Sequence, residues 1–132
     1  MIQLNAIHCP KCHDVVGSFN DHDSKTCKCT TQTIGGGLRK LIRTGEHYVE
    51  LSLDDEMTDD VLAEREVLMS DIITGFVNEL PQMNIKHPDF SDQVYKILML
   101  DKGLTIIKKI YAKKIQKSDG KEQGSKDVKT DK

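Results

Sequence analysis

Tryptophan is absent from this 132-residue chain, and three phenylalanines and three tyrosines are its only aromatic residues. With a hydrophobic fraction of 37%, the chain has little large apolar material for a core, so a fold of this size gains from a staple such as a bound metal. No apolar run approaches the roughly 20 residues of a membrane-spanning helix. The opening MIQLNAIHCP lacks the basic stretch and following apolar run of a secretory signal. A cytoplasmic protein with no membrane partner is the expectation. The phosphate-cradling pattern GxxxxGK[ST] is missing, as are a Ser–His–Asp order, an open metal site and a paired-carboxylate spacing. The chain is therefore expected not to be an enzyme.

What the chain does have is four cysteines, all inside HCPKCHDVVGSFNDHDSKTCKC, from His8 to Cys29. Cys9-Pro10-Lys11-Cys12 and Cys27-Lys28-Cys29 form two pairs. In a reducing compartment, thiols clustered in this way are metal ligands rather than disulfides. Zinc takes four thiolates tetrahedrally, and a site closed by four sulfurs is structural because it leaves no open position. One structural Zn2+ on Cys9, Cys12, Cys27 and Cys29 is the expected cofactor. His8, His13 and His22 lie in or beside the stretch, and each is open as a replacement ligand or as a hydrogen-bond donor to a thiolate. A thioredoxin-like redox pair would open a helix in a βαβ unit, and no such pattern follows. Val15 and Val16 read as a short strand, residues 20–24 as a polar turn and Lys25 to Thr33 as a return strand. Together they predict one hairpin with a cysteine knuckle at each end.

The order Cys9-x-x-Cys12-x-Asp14, Ser18, His22-Asp23, Cys27-x-Cys29, Gly36-Gly37, Leu41 and Arg43 resembles a family of small zinc-ribbon proteins of bacteriophages and prophages, mostly of unknown function. Their pattern is similar to CxxCGDxxxSxxxHDxxxCxCxxxxxDGGxxYLRR. Here His13 stands for a glycine, Gly35 for an aspartate and Lys40 for a tyrosine. The resemblance implies a zinc-ribbon domain and the cytoplasm of an infected bacterial host, and it implies no activity.

Beyond the ribbon, the three glycines of IGGGLRKLIRTG mark a sharp turn, and HYVELSL alternates as a third strand of the ribbon sheet. The period then changes. Thr58 is placed to cap a helix with Asp59 and Asp60 in its first turn and an apolar stripe of Leu62, Met69, Ile73, Phe76 and Leu80. A second helix is expected over Asp92 to Leu100, closed by Lys102-Gly103 as a C-cap, and a third over Leu104 to Lys117. The predicted fold class is α+β: an N-terminal zinc-ribbon β-hairpin sheet (residues 1–55), a three-helix segment (56–117) and a disordered tail (118–132).

The net charge of −2 conceals segregation. Residues 1–45 carry six basic and three acidic groups, residues 46–101 three and fourteen, and residues 102–132 ten and four. The functional expectation is a binding protein that docks on a host protein, as an anti-defence or host-takeover factor. Its acidic helix would present Asp59, Asp60, Glu64 and Glu66. The alternative is a nucleic-acid-binding regulator using Lys28, Arg39, Lys40, Arg43, Lys108, Lys109, Lys113 and Lys114. Scarce aromatics argue against base stacking on a single strand.

Overall fold

The computed structural model describes residues 1–122. Eight strands come first: β1 (Ile2–Leu4), β2 (Ala6–His8), β3 (Val15–Gly17), β4 (Ser24–Thr26), β5 (Thr33–Gly35), β6 (Ile42–Thr44), β7 (Val49–Glu50) and β8 (Leu53–Asp54). Two helices follow, α1 (Asp59–Glu79) and α2 (Pro88–Glu122), joined through a 3-10 turn at Leu80–Gln82 that contains Pro81. The strands form three antiparallel sheets, ordered β1-β8, β3-β2-β7 and β4-β5-β6.

This arrangement corrects the expected fold class twice. The ribbon is not one hairpin with a knuckle at each end. β2 pairs with β3 across Cys9–Cys12, and β4 pairs with β5 across Cys27–Cys29, so each knuckle is the turn of its own hairpin. Sequence alone takes 20–24 as the turn between paired strands, whereas it is the crossover between two sheets. The strand expected over HYVELSL is divided, its first part (β7) pairing with β2 and its last (β8) with β1.

The second correction concerns the helices. Among the described residues there are two rather than three, because α2 runs unbroken through Lys102-Gly103. Gly103 is buried, and a Cβ on it would lie 2.8 Å from Met69 Sδ and 3.2 Å from Leu4 Cδ2. It is a packing glycine, where α2 meets α1 and β1, and not a cap. A large side chain there should force the helices apart, so Gly103→Leu is expected to cost about 2 kcal/mol in chemical denaturation. α2 begins at Pro88, with its fixed φ at the first helical position. At this start the His87 ring nitrogen accepts from Asp89 N at 3.1 Å. The helix also enters the expected tail as far as Glu122, and the rest of that tail, 123–132, lies outside the described residues.

α1 starts where the sequence indicates: the Thr58 hydroxyl accepts from Val61 N at 3.3 Å, with Asp59 and Asp60 in the first turn. The helices run antiparallel. Lys114 of α2 meets Asp59 at the start of α1, and Gln93 Nε2 donates to Phe76 O near its end. Leu62, Met69 and Phe76, seven apart, bury one seam of α1 against Met99, Leu100, Ile107 and Ile110 of α2. Leu4, Ala6, Val15, Leu51 and Leu53 of the strands join the same core, so ribbon and helices share one apolar interior. No described helix is long and apolar enough to cross a membrane.

Candidate metal centre

The two knuckles use the same frame despite their different spacing. Cys9 N donates to Asp14 O at 2.8 Å, and Cys27 N donates to Gln32 O at 3.0 Å, each bond closing a five-residue span. The residue missing between Cys27 and Cys29 is restored after Cys29, so both hairpins keep their register. His13 N donates to Cys9 O at 2.7 Å and Thr30 N to Cys27 O at 2.9 Å. His13 (φ 62°) and Thr30 (φ 64°) both take the left-handed conformation that follows the second cysteine. A glycine would take that conformation at position 13 without strain. His13→Gly should therefore stabilise the chain by about 1 kcal/mol in denaturant melts.

These turns bring the four sulfurs together. The ligand atoms of Cys9, Cys12, Cys27 and Cys29 all lie within 4.8 Å of one another, with Cys9 and Cys27 buried and Cys12 and Cys29 partly so. Cys29 Sγ stands 3.6 Å from Cys9 Sγ and 3.5 Å from Cys27 Sγ. A tetrahedron with metal–sulfur bonds of about 2.3 Å has edges of about 3.8 Å, so the donor set fits one tetrahedral ion. The four cysteines lie together and could hold a metal ion. No histidine joins the cluster: the rings of His8 and His13 lie 6.2 Å apart beside it, and His22 is exposed in the crossover turn.

The thiols differ in acidity. The Thr31 hydroxyl, 3.0 Å from Cys29 Sγ, and then the Thr31 backbone bring the Cys29 thiol down to about 6. Burial pushes the Cys12 thiol up to about 11. A metal needs all four as thiolates, so protons compete with it and acid weakens the site.

A second set of contacts joins the hairpins away from the sulfurs. Fully buried Asn5 donates its side-chain amide to Gly35 O at 3.0 Å and Gly37 O at 2.8 Å, while Ser18 Oγ accepts from Gly37 N at 2.9 Å. The glycine run is thus a structural turn. Sequence reasoning missed the parts played by Asn5 and Ser18, which lack a local signal because their partners are remote in the chain.

Four residues of the nucleic-acid alternative are held in ion pairs. Arg43 donates from Nε and Nη2 to the two Glu50 oxygens at 2.9 and 2.6 Å, with its side chain only 10% exposed. Lys114 Nζ is held by Asp59 at 2.8 Å and Met57 O at 2.6 Å, Arg39 pairs with Asp21 at 3.4 Å, and Lys28 lies 4.0 Å from Asp92. Lys40, Lys108, Lys109 and Lys113 are exposed. Of the acidic set, Asp59 is engaged by Lys114 and Glu64 by Arg65 at 3.2 Å, and Asp60, Glu64 and Glu66 are exposed on α1.

The Arg43–Glu50 pair ties β6 to β7. Burial works against the Glu50 carboxylate, but hydrogen bonds from Arg43 and Ser52 outweigh it and hold its pKa below the ordinary glutamate range. A carboxylate depressed on folding contributes stability above its unfolded pKa and loses it as pH falls through the folded value. Glu50→Gln should therefore cost about 1–2 kcal/mol at pH 7. In paired melts, the gap between wild type and variant should close below about pH 4.5.

Residues 1–45 match the family described as Domain of unknown function (DUF7695). That span contains both knuckle hairpins, the glycine turn and β6. No curated protein and no solved structure matches the chain.

Proposed function

We propose that the chain is a non-enzymatic docking protein: a ribbon stapled by one structural Zn2+ supports a helical pair, and the acidic face of α1 binds a basic partner protein. The observation that carries this proposal is the composition of that face. Asp60, Glu64, Val67 and Asp71 fall at helical spacing on one side of α1, with Glu66 adjacent, and all are exposed. Val67 is 60% exposed among these carboxylates. The one basic residue of α1, Arg65, is mostly buried, its Nε donating to Ser52 O at 3.1 Å and its Nη1 to Glu64 Oε1 at 3.2 Å. A mostly acidic surface around an apolar contact suits a partner with a basic rim and an apolar centre.

Zinc is the ion the donor set favours, since four soft thiolates in a closed tetrahedral set suit Zn2+ and leave no position for substrate. The resemblance to phage ribbons suggests a protein of a bacterial host as the partner, and the cytoplasm as the place of encounter. Pull-down from host extract is the direct test, followed by Asp60→Lys/Glu64→Lys/Glu66→Lys. This variant leaves the Asp59–Lys114 pair intact. Association with the captured protein should slow at least tenfold and lose its salt dependence. Binding of duplex DNA tighter than micromolar near physiological salt, lost on Lys40→Ala/Lys108→Ala/Lys109→Ala/Lys113→Ala, would replace this function with nucleic-acid binding.

A further inference from the structure

Asp14 follows the first knuckle, and its side chain is 4% exposed. One carboxylate oxygen accepts from the backbone N of Lys28 at 2.9 Å, the residue between Cys27 and Cys29. The other pairs with Lys96 Nζ on α2, itself 12% exposed and held by Asp92 at 3.0 Å. The backbone oxygen of the same residue closes the first knuckle by accepting from Cys9 N. One residue thus spans both knuckles and is neutralised from the helix. The sequence separation between Asp14 and Lys96 is 82, and Lys96 lies outside the span matched by the family.

Charge makes this contact consequential. Four thiolates around a divalent ion leave two negative charges, and a buried carboxylate beside them adds a third. Among the described residues, Lys96 is the one cationic side chain paired with Asp14. Without it, Asp14 would be a buried, uncompensated anion next to an anionic cluster, a costly arrangement that drives the knuckles apart.

We propose that Asp14 and Lys96 are a positioning pair through which α2 sets how firmly the ribbon holds its metal. This rests on the four-thiolate zinc site proposed above. Linkage makes the effect reciprocal: whatever factor docked α2 adds to metal affinity, bound metal adds to the docking of α2.

The test uses the full zinc-loaded chain and an excess of a chromogenic chelator, with the rate of zinc release as readout. Lys96→Met should release zinc 10–100-fold faster, the range for losing a group that orients a ligand shell. Lys96→Arg, which restores the charge, should stay within a few-fold of wild type. Asp14→Asn combined with Lys96→Met should be no faster than the faster single variant, because both remove one interaction. Lys114→Met removes a more exposed ion pair at the other end of α2, 2.8 Å from Asp59, and should leave the rate unchanged. If Lys96→Met does not fold, Asp14→Asn, nearly the same shape, carries the same expectation alone. Wild-type release from both Lys96→Met and Asp14→Asn overturns the proposal, as does equal acceleration by Lys114→Met. A wild-type chain that takes up no zinc overturns the metal site itself, and the positioning pair with it.

Discussion

Replacing Cys27 with serine should abolish metal binding and melt the N-terminal half of the fold. A structural zinc on thiolates contributes on the order of 10–16 kcal/mol at neutral pH. A domain's total stability is only about 5–15 kcal/mol, so this ribbon is not expected to stand without its ion. The strands offer little else, being two or three residues long and spread over three sheets. Metal analysis of the wild type should return one zinc per chain, and Cys27→Ser should return none. Excess chelator on the wild type should reproduce the variant's loss of the cooperative melt. A variant that melts like the wild type, or a wild type unaffected by thorough chelation, would show that the apolar core suffices alone.

The next largest effect is expected at the other junction of the two hairpins. Gly37 has φ +57°, and a Cβ on it would lie 2.5 Å from Asn20 C and 2.9 Å from Asp21 N. Those are backbone atoms, which cannot swing aside as a side chain can. Gly37→Ala should therefore cost about 3 kcal/mol, from left-handed strain and displacement of the crossover turn together. In a thermal melt that is a loss of about 10 °C for a chain of this size. The Asn5 bond to Gly37 O should be lost with it, and amide exchange at Gly37, whose N–H donates to Ser18 Oγ, should rise. An unchanged melt would mean that the turn can open without disturbing the hairpins.

What the sequence made legible was chemistry that is local. The cysteine spacing is local, and the structure does bring the four sulfurs together. The Thr58 cap is local, because its acceptor and its donor are three residues apart. Two elements were misread because a local signal had a remote cause. Lys102-Gly103 looks like a helix stop, yet Gly103 is small because Met69 and Leu4 press on it. Arg43 looks like a surface cation, yet it is committed to Glu50 on the neighbouring sheet. Asn5 and Lys96 carried no signal at all, and Asp14 only its place in the resemblance, since each acts on a partner remote in the chain.

The pairing of β1 with β8 has a kinetic consequence. Ile2 lies opposite Asp54 and Leu4 opposite Leu53, so this ladder joins chain segments separated by roughly fifty residues. The knuckle hairpins pair residues about nine apart, such as Ile7 with Val16 and Lys25 with Ile34, and such pairs form on a timescale of about microseconds. An ion gripping both hairpins shortens the free chain that the β1–β8 closure must still gather. Refolding in stopped flow should therefore have a slow phase that tracks this outer ladder and quickens when zinc is supplied before dilution from denaturant, so that the ion acts as an early organiser of the chain as well as a final brace.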